Sequence, residues 1–161
     1  MLDVTHMAEP GAEQGQYSMH AFGALFAEVA VDRNLGIVRV RRLVGAYGSG
    51  RIVNPRMARS QCIGGMVGGI GMVLMEHTMT DPLTGRIVNA DLANYLVPVN
   101  ADIAALEPIF VEENDPYVNP LGVKGVGELA FVGVAPAIAN AVFHATGRRV
   151  RDLPITPEKL M

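Results

Sequence analysis

Hydrophobic and polar positions alternate from Tyr17 to Asp32, "YSMHAFGALFAEVAVD", with Phe22, Leu25, Ala27, Val29 and Val31 as the apolar set. Such a period-two pattern predicts a strand. "RNLG" (33–36) reads as a turn, and "IVRVRRLVGAYG" (37–48) repeats the alternation, with Val38 and Val40 set against Arg39 and Arg41. The two runs predict a β-hairpin. "NP" at 54–55 then marks a helix start, Asn54 as the cap and Pro55 in the first turn. The helix is expected to run to about Glu76.

That helix carries Gly64, Gly65, Gly68, Gly69 and Gly71. At roughly 1 kcal/mol each against alanine, five glycines weaken it by several kcal/mol. They are tolerated where another backbone or a ligand comes close, and the pattern leaves both open. "TDPLTGR" (80–86) reads as a turn, 89–103 as mostly irregular, 106–113 as a strand and 114–122 as loop. A last helix is expected from near Pro136, with Ile138, Ala141, Val142 and Ala145 on one face and Gly147 as the stop. The tail "RDLPITPEKLM" is extended and broken by prolines. Strands, helix, strand, helix make an α+β fold. Residues 1–16 are polar and predict a disordered lead-in to one domain over 17–161.

Composition narrows the chemistry. The chain has 161 residues, half of them hydrophobic, which suits one sizeable core. Its net charge of −3 provides no basic face for nucleic acid. Arg148, Arg149 and Arg151 read as helix-end or solvated charges. Cys62 is the only cysteine, which excludes an internal disulfide and a cysteine-ligated iron–sulfur cluster, and reads as a core residue. The four histidines form no HxH or HxxxH pair, so no protein-ligated metal site is expected. The central uncharged run, Ser60 to Met75, is too short and glycine-rich for a membrane span.

"LGVKGVGELAFVGVAPAIANAV" (121–142) is the stretch richest in candidate chemistry. Neither it nor "GGMVGGIG" has the Lys-Ser/Thr of a phosphate loop, and there is no GxSxG elbow. Three glycines (122, 125 and 127) lead to Glu128, and an apolar run follows. Apolar surface from "LAFVGVA" beside the carboxylate would disfavour its charged form, which suits a general base. A plain helix-start carboxylate fits the residues equally well.

"GVKGVGE", followed by "VAPAIANAVFHATGRRVRDLPITPEKL", resembles the end of the molybdenum-binding large subunit of the xanthine dehydrogenase/aldehyde oxidase family. The hairpin, the glycine-rich helix and "DLANYLVPVNADI" resemble it too, so the likeness covers roughly residues 17–160 and is closest to the aldehyde-oxidising branch. "GELA" stands where many relatives have "GEPP". The resemblance implies a molybdopterin cofactor, with the cytosine dinucleotide as one of its forms. Glu128 would be the catalytic base, and Gln61 would hydrogen-bond the pterin. Gly64, Gly65, Lys124, Gly125, Val126 and Gly127 would flank the cofactor.

The family's subunit is several times longer, and its other cofactor loops have no counterpart in these residues. The expected function is therefore one part of a molybdenum hydroxylase that oxidises an aldehyde or N-heterocycle with water as the oxygen source. The chain alone is expected to be inactive and without bound cofactor. Expected partners are the remainder of the molybdenum subunit and iron–sulfur and FAD subunits, with self-association through exposed apolar surface; nucleic acid and membrane are not expected. The expected location is the cytoplasm, or the periplasm if a partner's export signal carries the chain there. The alternatives are a non-catalytic interaction or structural module derived from that subunit, and a small-molecule-binding domain that uses the glycine-lined groove.

Overall fold

A computed structural model describes residues 3–5 and 12–161 of the chain. Its order is β1 (Phe22–Val31), β2 (Val38–Gly48), α1 (Pro55–Leu74), β3 (Ala105–Phe110), α2 (Leu129–Val132) and α3 (Val134–Thr146). The α+β expectation holds, as does the order strands, helix, strand, helix. Ala12–Gly15, within the expected lead-in, form a 3-10 turn. The rest of that expectation, apart from residues 3–5, lies outside the described residues.

β1 and β2 pair antiparallel as the expected hairpin. Asp32 builds its turn: one carboxylate oxygen accepts from the backbone N–H groups of Asn34 and Leu35 at 2.9 and 3.0 Å. Gly36 closes the turn at φ 66°, and a Cβ there would lie 2.5 Å from the Pro157 carbonyl oxygen, so only glycine fits. The ladder slips one residue at Glu28/Val29, a β-bulge. β3 joins the free side of β2 in parallel, from Arg42↔Ala105 to Tyr47↔Phe110. A parallel neighbour needs a long crossover, and α1 supplies it.

One face of this sheet is covered. Leu43 and Tyr47 of β2 are fully buried, and Leu25, Ala27, Val29 and Val31 of β1 pack partly against the same core. Phe22, named with them as an apolar position, differs in parity and lies on the other face, 58% exposed. Phe26 shares that outer face at 68%.

α1 begins where "NP" predicted it. The Asn54 side chain accepts from the Met57 N–H at 3.1 Å. The helix stops two residues short of the expected end, at Leu74. Ala58, Cys62, Met66, Ile70 and Val73 are its buried stripe, at steps of three and four residues. Gly69 completes the contact: a Cβ there would sit 2.5 Å from Cβ of Val134. The last helix starts two residues before the expected Pro136, which a first turn accepts because its missing N–H has no helical partner. Val134, Ile138 and Val142 are buried, whereas Ala145 is exposed. Gly147 ends the helix at φ 76° with its N–H on the Phe143 carbonyl at 2.7 Å.

By length and composition Leu129–Thr146 is apolar enough to cross a membrane. Here it is two helices broken at Gly133, and Ala130, Val134, Ile138 and Val142 from it build the core. Arg149 stacks on the Phe143 ring at 3.8 Å, and Arg148 and Arg151 are exposed, as helix-end charges should be.

Candidate functional site

The segment from Val123 to Glu128 is pinned at both ends and open between them. At the first end Lys124 is only 5% exposed at its side chain. Its ammonium donates to Glu113 Oε1 at 2.5 Å and meets Asp115 Oδ2 at 3.0 Å. A third contact reaches the His20 carbonyl at 3.2 Å. The other oxygen of Glu113 accepts from the Gly50 N–H at 2.6 Å. Hydrogen bonding to Lys124 holds the Glu113 and Asp115 carboxyls below their usual range, and the Lys124 ammonium, bonded first to Glu113, is raised.

Backbone contacts continue this anchor. Gly50 pairs with Val123 as an isolated bridge, and the Arg51 N–H donates to the Gly122 carbonyl at 2.7 Å. Gly50 and Gly122 both have φ 67°. The Asn119 side chain accepts from the Val123 N–H at 3.2 Å and donates to the Val123 carbonyl at 2.7 Å.

The second end rests on α1. A Cβ at Gly65 would lie 3.1 Å from the Phe131 nitrogen and 3.3 Å from the Ala130 carbonyl carbon. One at Gly68 would meet the Phe131 ring at 3.3 Å, and one at Gly69 meets Val134. Both helices therefore advance in the same direction along the contact. Glu128, two residues before Ala130, lies toward the start of α1, where exposed Gln61 sits one turn before Gly65. The two expected site residues are thus brought to the same side of the α1–α2 crossing. The glycines divide by role: Gly65, Gly68 and Gly69 admit α2 and α3, whereas a Cβ at Gly64 would meet nothing within 4 Å.

Between its anchors the loop faces solvent. Gly125, Gly127 and Glu128 are exposed, and a Cβ at either glycine would meet nothing within 4 Å. Val126 packs partly against the core. Among the described residues, the N–H groups of Gly125, Val126 and Gly127 donate to no backbone carbonyl. Glu128 occupies the cap position of α2, but its side chain makes no capping bond. The expected apolar wall does not form: Leu129 and Ala130 turn into the core and leave the carboxylate in water.

Lys124, expected beside a cofactor, spends its ammonium on carboxylates of this chain. Glu113, Asp115, Asn119 and Gly50 were not singled out from the sequence. One signal was available, because Lys124 is the only Lys or Arg in residues 87–147, a stretch holding several acids. A cleft of about 670 Å³ lies beside this anchor, lined by Arg51, Phe110, Glu112, Asp115, Leu121 and Gly122 among others, and Glu128 is not part of it.

N–H groups without a partner among the described residues, open glycines and an exposed amide suit a group rich in oxygen and nitrogen acceptors and donors. The described residues offer no cluster of three or more His, Cys, Asp or Glu to hold a bare metal ion. A metal carried by an organic ligand fits such a surface.

Residues 3–104 match the molybdopterin cofactor-binding domain. The chain belongs to that family. Its molybdopterin-domain match includes Gln61, Gly64 and Gly65 and ends before the Glu128 loop. Similarity to curated relatives covers both. The chain is 50% identical over 160 residues to the aldehyde oxidoreductase molybdenum-binding subunit PaoC of Escherichia coli (strain K12), covering 99% of this chain and 22% of the relative. It is 41% identical over 140 residues to the putative xanthine dehydrogenase molybdenum-binding subunit XdhA of the same strain, covering 87% of this chain and 18% of that one. Among solved structures, the aldehyde oxidoreductase from Desulfovibrio gigas superposes with a TM-score of 0.78 at 32% identity, over 87% of this chain and 15% of that one. The chain thus spans about a fifth of the length of the curated relatives it matches.

Proposed function

We propose that this chain is the C-terminal portion of the molybdenum-binding subunit of an aldehyde-oxidising molybdenum hydroxylase, and that it contributes the catalytic base and part of the molybdopterin site. The observation that carries the reading is the packing of Gly65 on Ala130 and Phe131, which sets exposed Glu128 and exposed Gln61 toward the same end of the α1–α2 contact, after a loop whose N–H groups meet no backbone carbonyl among the described residues. The bound cofactor supplies the two-electron oxidation and oxygen-transfer chemistry. Gln61 and the N–H groups of Gly125, Val126 and Gly127 hydrogen-bond it. A carboxylate oxygen of Glu128 takes the proton released as oxygen from water is transferred to the substrate.

The chain supplies one wall of such a site. Glu128 is exposed and lines no cavity described above, so substrate enclosure and turnover belong to the assembled subunit, with iron–sulfur and FAD subunits taking the electrons. A ready environment for Glu128 as a proton acceptor would follow when the rest of the subunit covers it.

The test supplies the remainder of the subunit by co-expression. Glu128→Gln keeps the shape and removes the basicity. Molybdenum content should stay near normal, and turnover should fall by about 10²–10⁴-fold, the loss expected for a general base. Gln61→Ala removes a hydrogen bond worth about 0.5–1.5 kcal/mol net. It should lower molybdenum content more than the rate per bound molybdenum. Near-normal turnover per molybdenum in Glu128→Gln would remove the base from this reading.

A further inference from the structure

The Glu128 reading leaves Lys124 without a task at the cofactor. Its ammonium is nearly buried and faces two carboxylates and a backbone carbonyl. Burying a lysine with carboxylates is costly unless all three ammonium protons are used, and here three acceptors lie within 3.2 Å. The acceptors come from separate parts of the chain. Glu113 and Asp115 follow β3, and His20 precedes β1. Through the Gly50 N–H, Glu113 also binds the segment that leads into α1, which carries Gln61. Tyr17 and Tyr117 add a stack with ring centroids 4.2 Å apart, holding the His20 segment to the loop after Asp115.

Two segments, the one before β1 and the one after β3, therefore converge on the ammonium of a third, four residues before Glu128, and the Gly50 segment joins them through Glu113. Past Lys124, Gly125 and Gly127 contribute no side-chain packing, so the path to Glu128 is held by Lys124, by Val126 and by the α2 contact on Gly65.

We infer that Glu113, Lys124 and Asp115 form a positioning clamp that sets where the Glu128 loop stands relative to the Gln61 end of α1. Lys124 is then a positioning residue and not a cofactor ligand. The inference deepens the proposed function and rests on its reading of Glu128 for the catalytic consequence, while the clamp itself rests on the contacts within this chain.

Two measurements test it. The first is hydrogen–deuterium exchange on this chain, comparing wild type with Lys124→Met and the milder Asp115→Asn, which keeps the Glu113 bond. The hydrogen-bonded amides of Gly50, Arg51, Gly122 and Val123 should exchange faster, by about tenfold or more in Lys124→Met, with α1 and α3 unchanged. Unchanged exchange at these amides in both variants overturns the clamp. If Lys124→Met unfolds the chain, Asp115→Asn decides.

The second uses the assembled subunit. Lys124→Met should lower kcat by about a hundredfold through misplacement of the base. KM and molybdenum content should stay nearly constant, and Lys124→Arg should recover most of kcat. Molybdenum content falling in step with activity would make Lys124 a cofactor ligand and overturn the inference, as would unchanged turnover. Glu128→Gln run in parallel separates the two claims. If that variant keeps its turnover, the base assignment falls and exchange alone judges the clamp: faster upholds it, unchanged overturns it.

Discussion

Gly64 and Gly69 lie on the same helix and answer to opposite constraints. A Cβ at Gly64 would enter open space. Gly64→Ala should therefore raise the stability of the chain by up to about 1 kcal/mol, the helix-propensity gain. A Cβ at Gly69 would lie 2.5 Å from Cβ of the fully buried Val134. Gly69→Ala gains the same propensity but forces α1 and α3 apart, and overpacking of this kind costs about 1–3 kcal/mol. Its net effect should be destabilising. Urea unfolding midpoints of the two variants decide this, and a midpoint for Gly69→Ala above wild type would contradict it. The sequence raised close packing and ligand approach for the whole run without dividing the glycines between them. The division depends on which positions face α2 and α3, and five glycines in a row of apolar neighbours carry no facing information. Glu128 is a similar case. Its loop was legible from the glycines before it, but its solvent exposure depends on Leu129 and Ala130 turning inward.

Among the elements, those with local signals were legible. Asn54 and Pro55 mark the start of α1, Gly147 marks the end of α3, and the alternation in β1 and β2 gives the hairpin. The errors lie where local pattern is silent. β3 is recognisable as apolar residues, yet its parallel place beside β2 depends on partners distant in sequence. α2 is a single turn that the apolar run after Glu128 concealed, and it exists because Gly65 leaves room for it. The Lys124 cluster escaped for the same reason, since its acids and its lysine belong to separate segments that only the fold brings together. The resemblance to molybdenum-binding subunits depended on none of this, because "KGVGE" and "LPITPEK" are contiguous words.

Among the described residues there are two layers, helices on one face of the sheet and no layer on the other. Phe22, Phe26 and Ile109 stand on that second face at 58, 68 and 51% exposure. Strand pairing aligns Phe26 with Val44, and Ala24 with Ala46 and Ile109, so two adjacent rows carry apolar residues beside the Arg42–Glu107 ion pair. Exposed apolar residues grouped on one face tend to be covered by association. The isolated chain should self-associate as its concentration rises, and Phe26→Lys should reduce this. Light scattering that gives a concentration-independent monomer mass for wild type would refute it.

The parallel strand β3 also orders events in time. The hairpin closes a short loop between β1 and β2, whereas joining Arg42 to Ala105 must close a loop that contains all of α1. Local contacts form early because their closure entropy is small, and distant ones wait. The acids that hold Lys124 follow directly after β3, so the loop carrying Glu128 cannot be fixed until that late strand has docked. We expect pulse-labelled refolding to protect the β1–β2 amides first and the Arg51 and Val123 amides last. Simultaneous protection would contradict this. A chain that matures in this order sets the Glu128 loop only after its slowest contact is made, and a partly folded intermediate would hold that loop in no fixed place.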